Sequence, residues 1–147
     1  MNTNDSVAFL GAVAKHALAR FIPLISFKLP AGFPSMAADY EEASLDLNEY
    51  IVQHKEASHV FQVKGQSMQQ IGIMDGDKVI VDKSLQARHG DIVVAVVDDA
   101  FTIKRLFMRG QRVELHPENP CFQPIVLTDG QELVIWGVVV GSVRRYV

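Results

Sequence analysis

The feature that most constrains this chain is a series of short β-branched segments separated at close intervals by turn residues. From position 39 onward the segments are rich in Val, Ile, Thr and aromatic residues, as in VFQVK, KVIVD, DIVVAVV, FTIKRLF and ELVIWGVVV. Stretches such as MDGD, RHGD and MRGQ divide them, and Gly and Asp are residues that tight turns favour. Many short strands at close spacing predict a mainly β domain, built as a barrel or folded sheet.

The first thirty-one residues differ from the rest of the chain. They hold three basic residues and one acidic residue, whereas positions 32–147 hold 11 basic and 16 acidic residues. Apolar residues near one stripe predict an amphipathic helix over positions 6–21. Three prolines then forbid a long helix and favour extended chain: Pro23, Pro30 and Pro34. This arm is too short to hold a three-helix DNA-binding domain.

Length, composition, net charge and cysteine count limit the functions that the chain could have. With 147 residues, of which 48% are hydrophobic, the chain fits one compact domain with a short appendage. A net charge of −3 disfavours direct, sequence-specific DNA binding. Cys121 is the single cysteine, so we expect no disulfide framework, no metal site, no cofactor and a reducing, cytoplasmic compartment. No apolar run is long enough for a membrane span, and no basic region marks a signal peptide.

Ser67 follows the segment VFQVK in the sequence GQSM and is either a turn residue or a nucleophile. The nucleophile elbow of the α/β hydrolases needs a glycine two positions after the serine, where this chain has Gln69. A Ser-His-Asp triad would have to use a histidine that no strand pattern recommends: His54, His59, His89 or His116. For an isolated GQSM, a turn is the better interpretation.

Lys104 is the more informative residue. Alternation along a strand puts Lys104 with Leu106 on one face and Arg105 with Phe107 on the other, so one basic residue must share a face with large apolar residues. An exposed lysine on an edge strand is the simpler interpretation. A buried lysine would have a lowered pKa, because burial disfavours its charged form, and a neutral amine can act as general base for a serine. The residues alone do not place Lys104 beside Ser67.

From position 31 to the C-terminus the chain resembles the LexA/UmuD family of self-cleaving serine peptidases. The resemblance rests on motifs in the family's order: AGFPS, GQSMQQIGIMDGD, HGDIVVAVVDD, FTIKRL, ELHPENPCFQPI and WGVVVGSV. The separation between Ser67 and Lys104 also agrees with the family. A short arm in place of a winged helix-turn-helix domain resembles UmuD and not LexA. The resemblance implies a LexA/signal-peptidase-like folded β-sheet.

The resemblance also implies roles for particular residues. Ser67 would be the nucleophile and Lys104 the general base, and the cleaved bond would join Ala31 to Gly32. Backbone amides around the serine would stabilise the oxyanion, and the residues that shape this turn would be Gly65, Gln66 and Met68. Self-cleavage would remove positions 1–31 as an N-terminal arm and leave 32–147 as the β-rich peptidase and dimerisation domain.

The function implied is that of an SOS-response peptidase. A RecA filament on single-stranded DNA would stimulate self-cleavage, and the shortened product would form a homodimer and join a UmuC-type Y-family DNA polymerase in translesion synthesis. Two alternatives stay open. One is a non-catalytic accessory subunit with a vestigial Ser67, and the other is a signal-peptidase-like Ser/Lys enzyme, which would normally carry a membrane anchor. The short arm and acidic balance oppose a DNA-binding repressor.

Overall fold

The computed structural model describes residues 6–14, 21–25, 31–32, 41–128 and 130–147. In chain order, their strands are β1 (Ser6–Ala12), β2 (Phe21–Ile25), β3 (Glu41–Asp46), β4 (Ser58–Lys64), β5 (Lys78–Asp82), β6 (Ile92–Val97), β7 (Ala100–Arg109), β8 (Arg112–His116), β9 (Ile125–Val126) and β10 (Leu133–Val143). One short helix, α1 (Leu47–Ile51), and two 3-10 turns, Lys55–Ala57 and Gln69–Ile71, accompany them. The predicted mainly β fold is confirmed.

Contacts divide the chain into two compact units. The larger comprises residues 1–15 and 54–147, and the smaller comprises residues 16–53. An antiparallel sheet in the larger unit has the strand order β1-β4-β5-β10-β6-β7-β8-β9. In the smaller unit, β2 pairs with β3 in a separate antiparallel ribbon.

The core lies on both faces of the large sheet. Val93 and Val94 are adjacent in β6 and both fully buried, yet they belong to different hydrophobic clusters. Because successive side chains of a strand point to opposite faces, each cluster covers one face of the sheet. The central strands are therefore apolar on both sides, which explains why segments such as KVIVD and IVVAVV show little polar alternation.

Glycine allows the tight connections and one close approach between strands. The predicted turns in MDGD and RHGD are present, with Gly76 at φ +87° and Gly90 at φ +92°, in the left-handed region that glycine tolerates. Gly137 in β10 serves a different purpose. A Cβ atom there would lie 2.7 Å from Val81 Cγ1 and 3.0 Å from the carbonyl oxygen of Asp82, so β10 and β5 can approach closely only at a glycine.

The predicted amphipathic helix over positions 6–21 is wrong in the described part of that segment. Residues 6–12 form β1, which pairs antiparallel with β4, and Phe21 begins β2; residues 15–20 lie outside the described residues. The edge of β4 offers backbone partners, and burial of Val7 adds apolar contacts that an isolated helix would not have. A short segment containing Val, Phe and Gly has only a weak helical preference, so these tertiary contacts decide its structure.

One other prediction about the arm can be compared with the structure. The extended chain predicted after the arm helix is confirmed for residues 21–25, where Pro23 lies opposite Ser44 in the β2–β3 ribbon; Pro30 and Pro34 fall outside the described residues. The segment DLNEYIVQHKEASH contains one helical turn, α1. Asp46 caps its N-terminus, because its carboxylate accepts a hydrogen bond from the Asn48 amide at 2.9 Å.

Candidate functional site

Ser67 lies in the turn that follows β4 and is 1% exposed. Gly65 opens the turn at φ +105°, and its amide donates to the Asp75 carboxylate at 2.7 Å. The 3-10 turn Gln69–Ile71 closes it. A residue with a Cβ would be strained at Gly65, so the glycine two positions before the serine is required by the path of the chain.

A loop from the other end of the sequence holds this turn in place. The Glu118 amide donates to the Ser67 carbonyl at 2.7 Å, and the Asn119 side-chain amide donates to the Gln66 carbonyl at 2.8 Å. Arg105 in turn binds the Glu118 carboxylate through Nε and the Gly90 carbonyl through Nη1. The turn that carries Ser67 is thus fastened to the segment after β8 by backbone and side-chain hydrogen bonds.

Lys104 lies in the middle of β7 and is 5% exposed. Its Nζ atom is 2.9 Å from Ser67 Oγ, 2.9 Å from Thr102 Oγ1 and 3.0 Å from the carbonyl oxygen of Ile103. The two residues that the sequence could not bring together are therefore in hydrogen-bond contact. Lys104 is buried, contrary to the simpler interpretation of an exposed edge-strand lysine.

This arrangement accommodates both the ammonium and the neutral amine form of Lys104. As an ammonium, Nζ donates to all three oxygens; as a neutral amine, it can donate to Thr102 and Ile103 and accept a hydrogen bond from the Ser67 hydroxyl. Burial disfavours the charged form, because low dielectric surroundings solvate an ammonium poorly. The geometry therefore permits proton transfer from Ser67 to Lys104.

The residues expected to shape the turn take different parts in it. Gly65 supplies the left-handed backbone conformation. The Gln66 side chain is exposed. Its backbone carbonyl accepts the hydrogen bond from Asn119 in the neighbouring loop. Met68 is 1% exposed and packs into the hydrophobic cluster that contains Ile103, the chain neighbour of Lys104. Ser67 and Lys104 are thus flanked in sequence by residues of one shared core.

The four histidines among the described residues contact groups other than Ser67, and His16 lies outside the described residues. His54 Nδ1 lies 2.6 Å from the Asp82 carboxylate, and the serine on that carboxylate is Ser84, not Ser67. The other three contact different groups: His59 the Ala57 carbonyl, His89 the Met108 amide and His116 the Glu114 carboxylate. The described contacts therefore favour a Ser/Lys pair over a Ser-His-Asp triad.

Sequence reasoning missed several members of the site. Thr102 could have been found, since strand alternation places it on the same face as Lys104. Glu118 and Asn119 carry no comparable signal, because the hydrogen bonds that give them their part join segments about fifty positions apart. Ala31 and Gly32 are exposed and belong to the smaller unit, so the predicted cleavage site rests on sequence.

Comparison with known proteins identifies the family. The model of the Peptidase S24-like family matches residues 23–140, which is most of the chain. This chain belongs to the Peptidase S24-like family. The predicted resemblance to the LexA/UmuD family, on its UmuD-like side, is confirmed by relatives that match along most of their own length.

Three such relatives are short proteins of enteric bacteria. Protein MucA of Salmonella typhimurium is 44% identical over 126 residues, which cover 85% of this chain and 86% of MucA. Protein SamA of Salmonella typhimurium is 41% identical over 123 residues, covering 84% and 85% of the two chains. Protein ImpA of Escherichia coli is 39% identical over 125 residues, covering 84% and 83%.

A relative of a different kind is the LexA repressor of Syntrophotalea carbinolica. It is 53% identical over 87 residues, which are 59% of this S24-like chain but 43% of the repressor. The shared part is therefore under half of the repressor, in contrast to the near full-length matches with MucA, SamA and ImpA.

Within the described residues, no helix has the length and hydrophobicity that a membrane crossing requires.

Proposed function

We propose that this protein is a self-cleaving serine peptidase of the SOS response, with Ser67 as nucleophile and Lys104 as general base. The observation that carries the proposal is the 2.9 Å contact between Lys104 Nζ and Ser67 Oγ, both buried, in a member of a peptidase family. The cleaved bond is Ala31–Gly32, which separates the arm, residues 1–31, from the peptidase and dimerisation domain, residues 32–147.

The reaction begins with proton transfer. Neutral Lys104 takes the hydroxyl proton while Ser67 Oγ bonds to the Ala31 carbonyl carbon, and the oxyanion that forms is stabilised by backbone amides of the serine turn. Lys104 then returns the proton to the Gly32 nitrogen as the peptide bond breaks, leaving Ala31 as an ester on Ser67. A water molecule, deprotonated by Lys104, hydrolyses the ester and restores the serine.

The surroundings of the pair support this mechanism. Hydrogen bonds to Thr102 and the Ile103 carbonyl direct Nζ at Ser67. The loop around Glu118 holds the serine turn, so the nucleophile is already positioned when the Ala31–Gly32 peptide bond binds in the site. Because the substrate is tethered to the enzyme, the reaction is unimolecular. Cleavage can therefore proceed even if the Ala31–Gly32 bond is seldom in the reactive position.

The regulation and the partners that we propose are those implied by the resemblance to UmuD. A RecA filament on single-stranded DNA stimulates cleavage by raising the population of the reactive pose, which requires only that it bind that pose more tightly. The product, residues 32–147, forms a cytoplasmic homodimer and associates with a UmuC-type Y-family polymerase in SOS mutagenesis. The near full-length similarity to MucA, SamA and ImpA supports this assignment over that of a repressor.

The test is unassisted self-cleavage followed by mass spectrometry across a pH series. We expect a single cut at Ala31–Gly32 whose rate rises from neutral to alkaline pH, because Lys104 must lose its proton before it can act as a base. Ser67→Ala and Lys104→Ala should each give a folded, uncleaved protein. Lys78→Ala, at an exposed lysine of β5, is the matched control and should cleave normally.

Three results would contradict the proposal. Cleavage that persists in Lys104→Ala at neutral pH would remove its role as base. A rate that is flat between neutral and alkaline pH would exclude a step limited by lysine deprotonation. An uncut but fully folded wild-type protein under all of these conditions, and with RecA filaments added, would favour the non-catalytic accessory subunit.

A further inference from the structure

The first strand of the arm is built into the peptidase sheet. Residues Ser6 to Phe9 lie opposite Lys64 to Phe61 of β4, and Gly11 and Ala12 continue the pairing with Val60 and His59. The amide of Val13 extends the contact by donating to the Ser58 carbonyl at 3.3 Å. The opposite edge of β4 pairs with β5, so β1 occupies the edge that β5 leaves open.

Val7 of β1 enters the core, whereas Phe9 on the same face is half-exposed and makes aromatic contacts. Val7 is 6% exposed and belongs to the hydrophobic cluster that also contains Met68 and Ile103, the chain neighbours of Ser67 and Lys104. Two positions later, the ring of Phe9 meets two aromatic rings edge-on: Phe61 at 5.4 Å and Trp136 at 6.1 Å between centroids. These contacts contribute binding energy of their own, beyond the backbone pairing.

The register of this strand is specific. A bulge falls between Phe9 and Gly11, where Gly11 has φ +146° and the extra residue, Leu10, is exposed. A slip by one residue would turn Val7 out of the core. The edge of β4 therefore selects a particular extended segment and does not merely accept any strand.

We propose that this edge of β4 is a docking site for one extended strand and that β1 stays there through its own contacts after the Ala31–Gly32 bond is cut. The cut itself rests on the proposed function. Before the cut, the connecting chain keeps β1 at an effective concentration on the order of millimolar. After it, β1 is held by its own affinity for β4, and the β2–β3 pairing, which also spans the cut, adds to the retention of the arm. Cleavage and release of the arm are therefore separate steps.

Dissociation of β1 changes the surface of the larger unit. It uncovers the backbone donors and acceptors along β4 and removes Val7 from the cluster behind Ser67 and Lys104. An unpaired edge of this kind is open to pairing with other strands. The edge of β4 is therefore one surface that distinguishes the released product from the intact protein.

The experiment cuts the chain near β1, so that the β2–β3 ribbon, which also spans Ala31–Gly32, does not hold the peptide. A recognition sequence for a site-specific protease is inserted between Ala14 and Lys15 in a full-length Ser67→Ala protein. After digestion at about 1 mM, a concentration similar to that which the tether provided, NMR diffusion measures the mobility of residues 1–14. We expect this peptide to diffuse together with residues 15–147.

Two substitutions in β1 test whether the buried Val7 side chain is what retains the peptide. Val7→Asp should raise the dissociation constant of the peptide at least about tenfold, measured by diffusion over a dilution series, because it places a carboxylate in the core. Leu10→Asp, at the exposed bulge position, is the matched control and should leave retention unchanged. Protection of β5 amides from hydrogen exchange shows that the domain remains folded, and Val7→Ala, which adds no charge, should weaken retention if Val7→Asp unfolds the protein.

Free diffusion of the unsubstituted peptide at this concentration would overturn the proposal, as would dissociation constants of the Val7→Asp and Val7→Ala peptides that equal that of the unsubstituted one. Because Ser67→Ala is already in place and an added protease makes the cut, neither outcome depends on self-cleavage. The proposed function succeeds or fails separately, in the alkaline cleavage assay.

Discussion

At the scale of single residues, the burial of Lys104 beside Ser67 is the feature that most affects the chemistry of the candidate site. Its neighbours along β7 are buried on both faces, with Ile103 in one hydrophobic cluster and Leu106 in the other. Strand alternation therefore does not distinguish an inner from an outer face here. Lys104 is accommodated because the oxygens of Ser67, Thr102 and Ile103 surround its Nζ atom, so a polar group enters the core with hydrogen-bond partners.

Thr102 contacts Lys104 Nζ and would position it if Lys104 is the general base. Thr102→Val keeps the shape and β-branching of the side chain but removes the oxygen that accepts from Lys104. We expect the limiting cleavage rate at alkaline pH to fall about fivefold to tenfold, the kinetic equivalent of one lost hydrogen bond. The pH at which the rate reaches half its limit should also decrease, because the ammonium form loses an acceptor.

Thr128→Val, outside the site and in an exposed loop, is the control for this substitution. An unchanged rate and pH profile in Thr102→Val, with wild-type stability, would show that Ser67 and the Ile103 carbonyl suffice to orient Lys104. Thr102→Ser, which restores the hydroxyl, should recover most of the lost rate.

At the scale of elements, hydrogen bonds between distant segments hold the site's turns. Asp77 ends the MDGD turn before β5 and is buried, and its carboxylate accepts two hydrogen bonds of 2.6 Å from Arg144, just after β10. Arg144 also donates to the Gly72 carbonyl, near the end of the serine turn. The bonds from Arg144, and after them the Met74 amide, hold the pKa of Asp77 below its ordinary value although burial opposes this.

This contact predicts a pH-dependent contribution to stability. Because the pKa of Asp77 is lower in the folded protein than its ordinary value of 3.8, ionised Asp77 stabilises the fold above that pH. Arg144→Gln should therefore lower the melting temperature at pH 7. The difference from wild type should shrink as the pH falls below 3.8 and through the folded-state pKa, where Asp77 becomes protonated.

Arg145→Gln is the matched control, since the Arg145 guanidinium binds the nearby Val147 carbonyl and not Asp77. Thermal unfolding of the three proteins in the Ser67→Ala background, followed by circular dichroism across the acid range, measures the effect. A melting-temperature difference between Arg144→Gln and wild type that stays constant down to the lowest pH would contradict the assignment to Asp77.

At the scale of the whole molecule, the proposed function places an enzyme and its substrate in one chain. The peptidase pair lies in the larger unit, and Ala31 and Gly32 lie in the smaller one. The first strand of the arm nevertheless belongs to the larger unit, so the contact units do not coincide with the predicted division into residues 1–31 and 32–147. That division concerns the cleavage products and stays a prediction.

The proposed intramolecular reaction predicts its own kinetics. Unassisted cleavage at alkaline pH should be first order, with a half-time that does not change when the protein is diluted about a hundredfold, because the substrate is tethered to its own active site. Quantitative mass spectrometry of the 32–147 product gives the half-time. A half-time that lengthens in proportion to dilution would indicate cleavage between chains instead.

The sequence by itself determined the strands from β4 to β10 and the turns between them. Turn chemistry and β-branched composition act over a few neighbouring residues, so segments such as KVIVD and the glycines at 76 and 90 could be interpreted locally. Family motifs, not residue physics, singled out Ser67 and Lys104 and the Ala31–Gly32 bond.

Only the tertiary structure decided the rest, because it depends on partners far along the chain. Residues 6–12 became a strand since β4 offers an edge about fifty positions away, which overrode the helical periodicity. The burial of Lys104 and its contact with Ser67 required β7 and the serine turn to meet inside a sheet covered on both faces. Long-range pairing and burial, which no local pattern encodes, brought Ser67 and Lys104 together.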